Sequence, residues 1–302
     1  MIRIATRRSA LALAQARQVG EMLGGAELVE VSSDGQPGDK SRFVRGVERA
    51  LLDGEAEIGV HSAKDVPSEI PAGLVIAAVT QREDPADAWI GVGESLDDVP
   101  GGARVGTASL RRRAQLLAAR PDLAVQDLHG NVDTRLNKLG KGEADGIVLA
   151  LAGLRRLGRE GEASFAIPAE VMTPAAGQGA LVLQTRADDE TSREAIAKLN
   201  DEAAMRELTA ERTVVALLET SCATPIGVCA KVATAEKAAG KERLVIDAFV
   251  GLPDGSEWLR DRVEGDALHP ADVGRMLAER LISAGARDIL DRAEDWSERG
   301  VL

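Results

Sequence analysis

The nine residues Val105-Gly106-Thr107-Ala108-Ser109-Leu110-Arg111-Arg112-Arg113 contain a strand end, a turn with two hydroxyls and the first turn of a helix. The helical pattern, rich in Arg and Leu, runs on to Ala119. A strand feeding a helix in this way is an α/β unit, and here it restarts a pattern the chain has already shown once. Upstream, Ile2 to Ala5 reads as a strand. Ser9 fits an N-cap, and Ala12, Ala16, Val19 and Leu23 share one helical face before the Gly24-Gly25 stop. Leu28 to Val31 is a strand, and Phe43, Val47 and Leu51 mark a helix closed near Gly54. Ile58 to Val60 is a short buried strand, and Leu74 to Val79 another. Downstream come a strand at Leu123 to Leu128, a helix at Val132 to Leu139, a strand at Ile147 to Ala150, and a helix from Ala152 to Leu157 that Gly158 ends. This alternation predicts mostly parallel sheets with helices on both faces. Two such units in succession predict two lobes with a cleft between them. Ala180 to Gln184 is one more strand, placed to cross back to the first lobe.

The last third differs. Asp201 to Glu219 is a long helical stretch, followed by strand-like runs at Val228 to Ala233, Leu244 to Val250 and Glu257 to Val263. Pro253-Asp254-Gly255 is a hairpin turn between the last two, and Asp272 to Ala284 is a closing helix. A small α+β domain with an antiparallel sheet is expected. The expected domains are thus 1-80 with 178-198, 85-174, and 201-302.

At 302 residues the chain exceeds one ordinary core, which suits this division. Aromatics are only 2%, with no Tyr, so the core must be built from Leu, Val, Ile and Ala. The same scarcity, with a net charge of -12, argues against a nucleic-acid surface, which needs stacking rings or a basic footprint. An acidic chain can still hold anions if its basic groups are gathered locally. The N-terminus has no apolar signal core and no run is long enough to span a bilayer, so a cytoplasmic protein without a membrane partner is expected. Cys222 and Cys229 form neither a disulfide framework nor a zinc pattern, and no metal is expected.

Four segments place polar residues where strands end, which is where open α/β sheets bind ligands. Thr6-Arg7-Arg8-Ser9 offers helix-start amides, Arg7 and Ser9 to a carboxylate or phosphate; it also reads as a plain capped turn. In Thr107-Ala108-Ser109-Leu110-Arg111-Arg112, two guanidiniums stand in a helical first turn, where the dipole disfavours cations unless an anion is held among them. In His61-Ser62-Ala63-Lys64-Asp65-Val66-Pro67, Lys64 and Asp65 form either a structural ion pair or a carboxylate that shuttles protons and faces developing positive charge. Ser221-Cys222-Ala223-Thr224-Pro225-Ile226-Gly227 puts a cysteine on a loop as a nucleophile or attachment point, whereas Cys229, within a strand pattern, reads as a small hydrophobe.

Together these segments resemble the porphobilinogen deaminase (hydroxymethylbilane synthase) family. The likeness runs in order through Ile4-Ala5-Thr6-Arg7, Val60 to Pro67, Arg82-Glu83-Asp84-Pro85, Gly106 to Arg112 and Gly130-Asn131-Val132-Asp133-Thr134-Arg135-Leu136. It continues through Ala152 to Gly158, Gly177-Gln178-Gly179-Ala180 and Cys222 to Gly227. It implies two periplasmic-binding-protein-like (type II) lobes and a third domain presenting a cysteine to the cleft. By resemblance, Cys222 carries a dipyrromethane cofactor through a thioether. Four porphobilinogen units are added in turn with loss of ammonia, and hydroxymethylbilane is released by hydrolysis. The resemblance gives Asp65 the catalytic role. Arg7, Arg111, Arg112, Arg135 and Arg156 match positions that bind the acetate and propionate arms. Ser9, Lys64, Thr107, Ser109 and Gln178 match further cleft positions, and Lys40 and Phe43 match the basic and aromatic positions of a mobile loop. Loss of the aminomethyl nitrogen leaves a cationic azafulvene-like species, which a carboxylate can stabilise. Arginine suits the arms because its planar fork grips carboxylates in two places. A transferase acting as a monomer is expected.

The sequence departs from the family in three places. His129 stands where a cofactor-binding Arg is usual; a neutral imidazole loses one charge-assisted contact there, and a protonated one partly restores it. The Asp34 to Arg42 loop is short, and Thr220-Ser221 replaces common glycines before Cys222. His129 leaves open a second expectation, a degenerate relative that binds acidic ligands without turnover.

Overall fold

A computed structural model describes residues 1–32, 42–219, 224–233 and 242–298. The first lobe contains β1 (Arg3–Arg7), α1 (Ala10–Met22), β2 (Glu27–Val31), α2 (Arg42–Leu52), β3 (Ile58–Ser62) and β4 (Leu74–Val79). The second contains β5 (Asp87–Gly91), β6 (Arg104–Gly106), α3 (Leu110–Ala119), β7 (Ala124–Gln126), α4 (Val132–Gly140), β8 (Gly146–Ala150), α5 (Leu151–Arg156) and β9 (Phe165–Ile167). The chain then returns through β10 (Leu181–Arg186) and α6 (Glu190–Ala197). It ends in α7 (Glu202–Leu217), β11 (Ile226–Ala233), β12 (Arg243–Gly251), β13 (Trp258–Asp266), α8 (Pro270–Ser283) and α9 (Ala286–Glu298).

The two lobes are built alike. The first sheet has the order β2-β1-β3-β10-β4, and the second β7-β6-β8-β5-β9. In each, three strands pair in parallel, and the fourth runs antiparallel to its neighbours. That fourth strand is the one that crosses from the other lobe. Thr80 to Ala86 leads from β4 into β5, and the chain after β9 leads back into β10. The fold is therefore α/β with mixed, mostly parallel sheets, and with a three-stranded antiparallel sheet, β11-β12-β13, in its last third.

The two crossings touch, and glycine makes that possible. Glu83 N–H donates to Gly179 O at 3.2 Å, and Thr80 N–H to Leu181 O at 3.1 Å. Gly179 has φ +90°, and a Cβ there would come within 2.2 Å of Glu83 O. Gly177, at φ +74°, lies so close beneath the 62–65 turn that a Cβ would meet the Ala63 carbonyl carbon at 2.8 Å. Only glycine combines this backbone conformation with so close an approach. The cores are aliphatic, as the scarcity of rings requires; Trp89 and Phe249 are the largest fully buried side chains.

Several elements were not anticipated. β5 begins on Asp87, directly after Asp84-Pro85-Ala86, so its pattern looks like a loop. That aspartate is nonetheless 0% exposed because it has buried partners. β9 has three residues, too few for a period to show. α6 and α9 are polar and lean on elements far away in sequence. The expected strand at Leu123 to Leu128 is only Ala124–Gln126.

Candidate functional site

A cavity of about 100 Å³ lies where the lobes face each other. Gln15, Ser62 and Lys64 line it from the first lobe, Arg112, Arg135 and Arg156 from the second, and Gly179 and Ala180 from the returning crossing. No carboxylate is among the described lining residues. Its size suits the arms of a ligand rather than the whole of one.

The first-lobe wall is the turn after β3. Ile58 to His61 are buried, and the strand ends in a 3-10 turn at Ala63–Asp65, held by Ala63 N–H donating to Ala180 O at 3.0 Å. The Gln15 and Ser62 side chains bond at 2.9 Å. Lys64 and Asp65 do not pair with each other. Lys64 Nζ donates to Gln178 Oε1 at 3.2 Å, while Arg7 donates to Asp65 Oδ2 at 3.3 Å. Arg7 comes from the end of β1, beside β3 in the sheet. Burial, then Arg112 nearby, pulls the Lys64 ammonium down from 10.5 to about 8, against the pull of Asp65 and Asp87.

The second-lobe wall starts at the N-terminus of α3. Ser109 caps it, its Oγ accepting from Arg112 N–H, and Thr107 Oγ1 accepts from Ser109 N–H at 3.2 Å. Arg111 and Arg112 do hold an anion, and it is the protein's own. Asp87 receives Arg111 Nη2 at 2.7 Å, and Arg112 through Nη2 at 2.8 Å and Nε at 3.1 Å. Gln178 Nε2 adds a fourth bond at 3.0 Å. Burial alone would raise the Asp87 carboxyl, but Arg111 and Arg112 hold it far below the carboxylate range. Gln178 thus joins Asp87 to Lys64, and it sits in the crossing between the lobes. Arg111 also donates to Thr173 O at 2.8 Å and is not among the cavity's lining residues; Arg112 donates to Val148 O and is.

The remaining wall is underpaired. Arg135, one turn into α4, is drawn down to about 10 by burial and then by Arg112; its Nε is buried with no hydrogen-bond partner. Arg156, near the end of α5, donates to Gly179 O at 2.6 Å and is pulled down by burial. Cations that have lost water and lack counter-charge fit a ligand bearing several carboxylates.

Other expected residues sit elsewhere. Ser9 caps α1, accepting from Ala12 N–H at 3.3 Å. The His129 side chain is 75% exposed and lies 3.5 Å from Asp127, away from the cavity wall. Phe43 belongs to the first turn of α2. Lys40 and Cys222 lie outside the described residues. Cys229, in β11, has its thiol pushed up to about 12, by burial and then by Glu211, so it stays protonated and inert. Sequence reasoning missed Asp87, Gln15 and the role of Ser62. The arginine pair in a helical first turn was the signal for Asp87; nothing local marked Gln15.

Family models match most of the chain. Residues 2–194 match "porphobilinogen deaminase, dipyrromethane cofactor binding domain", and residues 205–283 match "porphobilinogen deaminase, C-terminal domain". Among solved structures, a TRAP periplasmic solute binding protein from Desulfovibrio salexigens is similar at 12% identity, over 67% of this chain and 73% of that one, with TM-score 0.41. The VFT2 domain of BvgS from Bordetella pertussis is similar at 13% identity, over 66% and 85%, with TM-score 0.41.

Asp87→Asn leaves two buried guanidiniums sharing a neutral partner. It is expected to cost about 3–5 kcal/mol, read as a lower urea midpoint. Lys64 gives a pH signature. Acetate, standing in for one ligand arm, is expected to raise this depressed pKa when it binds in the cavity, so binding takes up close to one proton at about pH 9 and almost none near pH 6, where Lys64 is already charged. Calorimetry in buffers of different ionisation enthalpy reads this uptake, and Lys64→Met abolishes it.

Proposed function

The chain belongs to the porphobilinogen deaminase family, and on that premise we propose how its own residues carry the activity. It is a transferase of tetrapyrrole synthesis, a hydroxymethylbilane synthase with a dipyrromethane cofactor. When bound, that cofactor supplies the terminal pyrrole carbon onto which porphobilinogen is condensed.

We assign attachment to Cys222, which lies in sequence between α7 and β11. The contrast with Cys229 supports this, because that thiol is held protonated. We assign the cofactor and substrate arms to Lys64, Arg112, Arg135 and Arg156, which line the cavity; Arg7, Thr107, Ser109, Arg111 and Gln178 hold the groups around it, and Ser9 and His129 lie outside its wall. The carrying observation is the cavity wall of four cations, ending in the unpartnered Arg135 Nε. A cofactor whose rings each carry an acetate and a propionate supplies the missing negative charge.

Asp65 is the catalytic carboxylate in this proposal. It follows Lys64 at the rim and is oriented by Arg7, which fixes one oxygen and leaves the other able to accept pyrrole N–H groups. As ammonia leaves the substrate, positive charge develops, and Asp65 faces it and passes protons at its free Oδ. Lys64 and the arginines bind the arms and keep the growing chain's negative charge from expelling it. Arg111 acts through Asp87 and Arg112, by keeping the pair in place.

The domains proposed are 1-80 with 178-198, 85-174, and 201-302. Strand membership supports these limits, since β10 completes the first sheet and β11 to β13 form their own. A monomer acting in the cytoplasm, with porphobilinogen and no nucleic acid as partner, completes the proposal; the charge of -12 supports the last point. Among the described residues no helix is long and apolar enough to cross a membrane.

Intact-mass analysis tests attachment. Protein from a porphobilinogen-competent host is expected to carry a two-pyrrole adduct that Cys222→Ser lacks; an unmodified wild type refutes it. Asp65→Asn is expected to fold, to retain the adduct, and to lose nearly all ammonia release. Near-normal rates would remove Asp65 from its role.

A further inference from the structure

Arg212, half-buried on α7, makes contacts that the family activity does not require in any obvious way. Its Nη1 donates to Val66 O at 3.1 Å, and its Nη2 to Pro67 O at 2.7 Å and Ser68 O at 2.9 Å. These are consecutive carbonyls, and they begin one residue after Asp65. The segment makes few backbone bonds of its own. Val66 N–H closes the 3-10 turn onto Ala63 O, Pro67 has no N–H, and β4 does not start until Leu74.

The same face of α7 supplies an apolar seat. Ala204, Leu208 and Arg212 are spaced four apart and so share one face of the helix. Ala204 and Leu208 pack in one cluster with Ala63, Val66, Val79 and Val182. The helix therefore holds the turn twice, by hydrophobic contact beneath Ala63 and Val66 and by a guanidinium across the next three carbonyls. On the other side, Ala180 O and the bare backbone of Gly177 fix the turn to the crossing between the lobes.

We propose that Arg212 is a positioning residue: it ties α7 to the exit of the Asp65 turn, so that the carboxylate keeps its setting against Arg7 through every addition. This rests on the role assigned above to Asp65. One guanidinium bonding three carbonyls fixes direction as well as distance, which a lysine ammonium making one such bond cannot do. Without it, the turn keeps its apolar seat but its exit is free, and Asp65 shifts against Arg7. Small misplacements of this kind reduce rate by about 10- to 100-fold without touching affinity.

The test compares holoenzyme carrying Arg212→Ala, Arg212→Lys or Asp65→Asn. Arg212→Ala is expected to load its cofactor, read by intact mass. It should lower kcat by about 10- to 100-fold, keep KM for porphobilinogen within about twofold, and speed amide exchange across residues 63–68. Added ethylguanidinium should restore part of kcat. Arg212→Lys should fall between wild type and Ala, and it carries the test if Ala fails to fold. An unchanged kcat in the variant that folds overturns the proposal, as does a fall in kcat with unchanged exchange at 63–68. Asp65→Asn separates the two readings. If it retains turnover, the Asp65 assignment fails; if it is inactive while the Arg212 variants are fully active, only the positioning role fails.

Discussion

One buried carboxylate organises the gap between the lobes. Asp87 has no exposed surface, and its two oxygens receive bonds from Arg111, Arg112 and Gln178. A lone carboxylate in such a place would protonate, and two adjacent guanidiniums in a helical first turn would repel each other and the dipole. Together they satisfy one another. The pair has one charge more than its partner, so the arrangement remains net positive. That surplus faces the cavity through Arg112, and Gln178 carries the connection to Lys64 on the other lobe.

The crossings make this economy possible. Asp87 opens the strand that enters the second lobe, and Gln178 precedes the strand that leaves it. The third domain is pinned to the same place. Arg82 donates to Glu211 Oε1 at 2.7 Å and to Gln178 O at 3.0 Å, and Glu211 also accepts from Gly177 N–H and Ala230 N–H. Burial raises the Glu211 carboxyl despite Arg82, so this bond set marks a desolvated junction. Gly255 in the β12–β13 turn approaches α3 so closely that a Cβ would stand 2.4 Å from Ala118 N. The last domain therefore touches the junction and the second lobe at once.

Much of this was legible in the sequence, because the signals were local. Ser9 and Ser109 are N-caps as their positions suggest, and α3 has the bounds its Leu and Arg pattern gave. The restart at Val105 and the return at Ala180 gave two sheets with a crossing strand. What stayed hidden was pairing at long range. Asp87 looks like a loop aspartate until arginines 24 and 25 residues away close on it. Lys64 and Asp65, adjacent in sequence, take separate partners because the turn between them sends one side chain to Gln178 and the other to Arg7. Thr107 and Ser109 spend their oxygens on backbone amides. His129 matches a cofactor position in order along the chain, yet its ring lies out in solvent beside Asp127.

The unbalanced cavity wall also bears on what can occupy it. Lys64 on one lobe faces Arg112, Arg135 and Arg156 on the other across the gap. A group bearing several carboxylates therefore acts there as a counter-ion to both lobes at once, whereas a cationic one meets repulsion from both.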